Sequence, residues 1–326
     1  MVAVFYYFFA RSVAHHSADG FVGALWSPLL EQAMLVFLLL VGYAALGIMF
    51  QRQTQPIAEQ GLPRRAGWRA EFGLGLATGW GIALICVIPL AVLGGIAIVL
   101  NGRASEWGWF LADAVFFLLA TLAEEIAFRG YPFQRFMDAV GPLGASLLFS
   151  FYYGVVQMLL PGSTRVSFFV SIALGLLLST AYIRTRALWV SWGINFGWKA
   201  SRALLFGLVV AGVGSHSSVV EGDPMGPFWL TGGGFGLDGT WLAFFVILAA
   251  FPLLVRATRD LDFRYNAPVI VPGGIPVDID AAARAQHEQA MGAAPAPPPL
   301  VQIAAAAPAP PQPERPENPL EPPAAN

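Results

Sequence analysis

Apolar residues run in long blocks along this chain, separated by short polar stretches, and most blocks are close to the length of a bilayer crossing. A spanning helix needs about 20 predominantly apolar residues. Seven segments meet or approach that: about 28–50, 73–100, 107–128, 140–160, 166–183, 187–212 and 240–255. The last is short, and Lys199 and Arg202 interrupt 187–212, which is expected to be bent or broken there. Three segments place small residues at every fourth position: Gly75, Gly79 and Ala83; Ser146, Ser150 and Gly154; Ser167, Ser171, Gly175 and Ser179. In lipid, that spacing lets helix backbones approach closely. The pattern predicts an all-α, polytopic bundle of about seven to eight spans.

The polar connections set an orientation. Arg52, Arg64, Arg65, Arg69, Arg135, Arg184, Arg186, Arg256, Arg259 and Arg264 fall on one side, against Arg11, Arg103 and Arg165 on the other. Basic residues accumulate in cytoplasmic loops. Seven spans then put the N-terminus outside and the C-terminus in the cytoplasm of a cell-membrane protein. The opening MVAVFYYFFA has no basic stretch and no small-residue cleavage site after it, so insertion is expected to be directed by the first full span. From about Asn266 the chain becomes Pro/Ala-rich, and such a composition cannot build a core. The expected organisation is an N-terminal segment with the first span (1–70), a membrane core (71–256) and a disordered cytoplasmic tail (257–326).

Composition supports the membrane reading. The chain is 56% hydrophobic and only 12% charged, about half the charged share of an ordinary soluble domain. A net charge of −2 carries no nucleic-acid footprint. Cys86 is the single cysteine, which excludes an internal disulfide.

The charges that remain are concentrated in TLAEEIAFRG, residues 121–130, at the end of an apolar run. Ionisable groups inside a span are costly and therefore usually paired or functional. At about 100° per residue, Glu125 and Arg129 lie about 40° apart on one helix face, while Glu124 and Arg129 lie about 140° apart. Arg129 therefore neutralises Glu125, and Glu124 points to a different neighbour. Two roles are open to Glu124: a general base that takes a proton from water, or one member of an ion-pair knot.

EEIAFRG resembles the first motif of the CPBP intramembrane endopeptidases, the family of CAAX proteases and bacteriocin-processing enzymes. SLLFSFYYG at 146–154 resembles the second, ALWVSWGINFGWK at 187–199 the third, and GGFGLDGTWLAFFVIL at 233–248 the Gly-rich entry to the closing helix. The resemblance covers about 70–256. It implies a helical membrane protease acting on a peptide or lipidated-protein substrate, with Glu124 activating water and Glu125 paired to Arg129. It also implies that histidines in the second and third motifs assist the base and bind the oxyanion. Those histidines are replaced: Tyr153 and Asn195 stand at the two histidine positions and Lys199 at the following Asn/Asp position. No histidine occurs between positions 17 and 215.

These substitutions remove the ligands of a histidine-bound zinc, so neither metal nor other cofactor is expected. A phenol, with an ordinary pKa of about 10, exchanges protons near neutrality less readily than imidazole. Asn195 can donate to an oxyanion as an amide. Lys199 has two readings: positive charge for the oxyanion, or an ion pair that quenches Glu124. Ser191, Asn195, Lys199 and Arg202 form a polar stripe that must face something polar. Glu124, Glu125, Arg129, Tyr153, Asn195 and Lys199 are the candidate site, in either an endopeptidase or a non-catalytic homologue with a binding, immunity or scaffold role. No inverted repeat supports a transporter.

Overall fold

The computed structural model describes residues 2–21, 26–93, 95–211 and 217–261, with residues 284 and 287. The Pro/Ala-rich stretch expected to be a disordered tail lies outside the described residues.

The described chain is nearly all helical. Its helices are α1 (Val2–Phe21), α2 (Ser27–Gln51), a one-turn α3 (Pro56–Glu59), α4 (Trp68–Val92), α5 (Glu106–Arg129), α6 (Tyr131–Met158), α7 (Arg165–Thr185), α8 (Leu188–Ala200), a one-turn α9 (Phe228–Thr231) and α10 (Trp241–Ala257). By length and composition α2, α4 and α7 can each cross a membrane. Many large apolar side chains on the long helices face outward, including Phe37, Ile85, Leu111, Leu147 and Phe245. A helix bundle with such a surface belongs in lipid rather than water.

Two departures from the expected spans have local causes. The segment read as one span over 73–100 stops at Leu93, after Pro89 in the helix and before the Gly94-Gly95 pair. The β-branched run Ile96–Leu100 then forms strand β1, antiparallel to β2 (Val220–Pro224), with Ile96 opposite Pro224 and Leu100 opposite Val220. Nearby, Glu106 accepts from the Ser218 backbone N–H at 3.4 Å. Hydrogen bonding from Ser218 holds that exposed carboxyl below the usual carboxylate range. The second departure is α1, which the span reading passes over.

α1 runs antiparallel to α2. Tyr43 Oη donates to the Ala3 carbonyl (3.3 Å), Tyr6 Oη to the Leu38 carbonyl (2.6 Å), and Ser27 Oγ to Asp19 (2.7 Å). Ala10, Ala14 and Ala18 make the buried seam, and Gly42 leaves the notch that the Tyr6 ring occupies. The Val2 end of α1 therefore shares a cavity with Leu46, Phe50, Tyr131 and Arg135.

The tightest helix pair is α4 on α8. A Cβ on Gly75 would lie 2.2 Å from the Val190 carbonyl oxygen, and one on Gly79 would lie 2.1 Å from that of Ile194. Across the seam, Cβ atoms on Gly193 and Gly197 would lie 2.3 Å and 2.5 Å from the Phe72 and Leu76 carbonyls. Four glycines thus let two backbones touch, which fixes the rotation of α8. On the other side α6 packs on α7, where Gly175 meets Ser150 and Gly154 meets Phe168 and Ile172. α6 is bent at Gly141, whose φ of 79° suits glycine, just before Pro142.

Candidate functional site

Glu124 and Glu125 lie in the penultimate turn of α5, and the helices around them supply every partner. Arg129 Nη1 meets Glu125 Oε1 at 3.1 Å, the i,i+4 pair that helix spacing dictates. Its Nη2 donates to the Gly175 carbonyl on α7 at 3.3 Å, and the guanidinium lies 5.5 Å from the Tyr153 ring centroid. Both Glu125 and Arg129 are fully buried. This brace ties α5 to α7.

Glu124 faces α6 and α8. Lys199 Nζ lies 2.5 Å from its Oε1 and 2.7 Å from its Oε2. Asn195 Nδ2 donates to Glu124 Oε2 and to Glu125 Oε1, each at 3.0 Å. Tyr153 Oη approaches Glu124 Oε2 at 3.4 Å, long for an O–H···O bond. The Glu124 side chain keeps 26% of its surface exposed, against 9% for Lys199. The site is therefore open on the Glu124 side and sealed behind Lys199.

These contacts decide what the groups can do chemically. A carboxylate offers about four acceptor positions; on Glu124, Lys199 engages both oxygens and Asn195 adds a second donor on Oε2. The two amide hydrogens of Asn195 are both committed to carboxylates, so neither is free to meet an oxyanion. Tyr153, with its rim contact to Glu124, stands behind the same carboxylate rather than across a water-sized gap from it.

The polar stripe on α8 divides. Asn195 and Lys199 turn to the glutamates of α5, whereas Ser191 Oγ bonds back to the Leu188 carbonyl (3.1 Å). Arg202 joins a separate buried cluster. Its Nη1 meets Asp238 Oδ2 at 2.9 Å, its guanidinium stacks 3.9 Å from the Trp198 ring, and Trp198 Nε1 donates to Asp238 Oδ1 at 2.9 Å. Here the segment read as a bent span changes character: α8 gives way to a π-helical turn at Ser201–Leu205. The sequence reading missed Asp238, although a lone acid in the glycine-rich GGFGLDGTW was the available signal. It also missed Tyr7 on α1, whose ring packs 6.4 Å from that of Phe128, one turn from Glu124.

Among the described residues no group of three His, Cys, Asp or Glu side chains is placed to hold a metal ion. The donor set around Glu124 is two carboxylates, an amide, a phenol and an ammonium. The ammonium already occupies the position beside both Glu124 oxygens, so this set does not fit a catalytic zinc.

Comparison with known families identifies residues 106–201, the stretch carrying α5 to α8 and every side chain of this cluster, as matching the family described as type II CAAX prenyl endopeptidase Rce1-like. No curated protein and no solved structure matches the chain.

Proposed function

We propose that this chain, whose residues 106–201 match the family described as type II CAAX prenyl endopeptidase Rce1-like, is a membrane-embedded homologue that binds rather than cleaves. Its likeness to a protease lies in the matched segment 106–201 and in the EEIAFRG brace. The observation that carries the reading is Lys199 Nζ at 2.5 and 2.7 Å from the two Glu124 oxygens. A general base must present a lone pair to the water it deprotonates, and an ammonium on both oxygens stabilises the ionised form that would have to accept the proton. The committed hydrogens of Asn195 remove the oxyanion donor that the family pattern requires.

The membrane core is 71–256, with 106–201 as its family segment and α1–α2 packed against it. Among the described residues, eight helices serve as passes in this reading: α1, α2, α4, α5, α6, α7, α8 with its π turn, and α10. Arg52, Arg135, Arg184 and Arg256 gather at one end, and the positive-inside rule assigns that end to the cytoplasm. Because α1 folds back on α2, Val2 lies at that end too. This reading replaces the outside N-terminus expected from seven passes.

The test is reconstitution of the missing groups. Tyr153→His, Asn195→His and Lys199→Asn, combined in the full chain in proteoliposomes, are expected to create hydrolysis of a lipidated peptide that Glu124→Gln abolishes. Glu124-dependent hydrolysis by the unmodified protein contradicts the proposal.

A further inference from the structure

Arg11 is a cation on a helix face rather than in a loop. The α1–α2 contacts place it level with about Leu35 of α2, roughly 12 Å along the axis from Ser27 at 1.5 Å per residue. An arginine at that depth is costly unless it meets a counter-charge or a wet cavity. No carboxylate of the described chain pairs with it. Its neighbour is Tyr7, one turn away on the same face.

Tyr7 fixes what Arg11 faces. Its ring packs on Phe128, and the Phe128 ring lies 5.4 Å from Tyr152 and 5.1 Å from Tyr153. Tyr7, Phe128 and Tyr152 also line one narrow cleft between α1, α5 and α6. α1 and α5 run in opposite directions here, so one turn on from Tyr7 and one turn back from Phe128 bring Arg11 level with Glu124. The Tyr152 hydroxyl, buried beside this cleft, has no hydrogen-bond partner.

The charge balance then favours an anion. Arg11 adds a positive charge to a region where Glu124 and Glu125 are already taken by Lys199 and Arg129, and Asp238 by Arg202. We propose that Arg11, with the Tyr7 and Tyr152 hydroxyls, forms a carboxylate-binding entrance beside the Glu124 site, for a ligand whose apolar chain lies along the aromatic wall between α1, α5 and α6. A free fatty acid and the C-terminus of an apolar peptide share that chemistry. The inference rests on the reading of the Glu124 site as a binding site.

The experiment measures binding to the full chain in nanodiscs, using two pairs of probes: palmitate against hexadecanol, and an apolar decapeptide with a free C-terminus against its C-terminal amide. A charge-assisted hydrogen bond predicts that the acid of at least one pair binds about tenfold more tightly than its neutral twin; which pair does so identifies the source. Arg11→Gln should erase that preference and Arg11→Lys should keep most of it, which separates charge recognition from misfolding. A preference that survives Arg11→Gln, or equal binding of acid and neutral twin, overturns the entrance while leaving the Glu124 site as a binding site. No binding by any of the four probes overturns both.

Discussion

An ammonium set against a carboxylate within a membrane protein does two things at once: it stabilises the ionised carboxylate and it occupies the lone pairs that chemistry would use. Lys199 does both to Glu124, and Asn195 joins the two glutamates into one network with Arg129. Removing a single partner from such a network leaves a charge uncompensated. Lys199→Met is expected to cost about 1–3 kcal/mol, less than for a fully buried pair because Glu124 is partly exposed. Adding Glu124→Gln should recover most of that loss. A double-mutant cycle by denaturant unfolding in detergent checks this, and a coupling energy near zero would show that the pair contributes nothing. Glu125→Gln strands the fully buried Arg129 and should cost more, about 3–5 kcal/mol. At this scale the sequence was informative but incomplete. Helix spacing alone paired Glu125 with Arg129. The partner of Glu124 required knowing which face of α8 turns toward α5, and nothing local to TLAEEIAFRG encodes that.

That rotation is set by elements rather than by side chains. Gly75 and Gly79 on α4 press against the backbone of α8, and Gly193 and Gly197 return the contact. Gly193→Ala puts a methyl 2.3 Å from the Phe72 carbonyl oxygen and should lower the unfolding temperature by several degrees, as overpacking of a closed interface does. Gly81→Ala meets nothing within 4 Å and should leave it unchanged or slightly raised. Equal effects of the two would remove the seam from the account. The sequence displayed the α4 half of the seam as a four-residue repeat, while the α8 half lay unread within a motif known for its polar residues. α1 was passed over because Arg11, His15, His16 and Asp19 dilute its apolar run, although its Ala10, Ala14 and Ala18 seam has the same four-residue signature. The 96–100 run looked like a helix continuation because an apolar run has no period of its own; the Gly94-Gly95 pair and the β-branched Ile96, Ile98 and Val99 favoured the strand.

For the whole molecule, the proposed eight-pass arrangement puts the N-terminal end of the chain on the cytoplasmic side. With Cys86→Ser removing the buried native thiol, single cysteines report sidedness through a membrane-impermeant maleimide. Ser105→Cys should label in intact cells, whereas Val2→Cys and Arg259→Cys should label only after the membrane is opened. The reverse pattern would invert the bundle, and labelling of Val2→Cys from outside would restore the seven-pass topology. The proposed orientation would also place the two glutamates nearer the cytoplasmic face, since α5 ends only five residues beyond Glu124. In the proposed reading, the matched segment 106–201 keeps its helical frame while Lys199 closes off the chemistry of Glu124. The most direct test is the rate at which the purified, unmodified protein cleaves a lipidated C-terminal peptide, compared with Glu124→Gln. The two rates should be indistinguishable from each other and from protein-free vesicles; cleavage by the unmodified protein that Glu124→Gln abolishes would contradict the account.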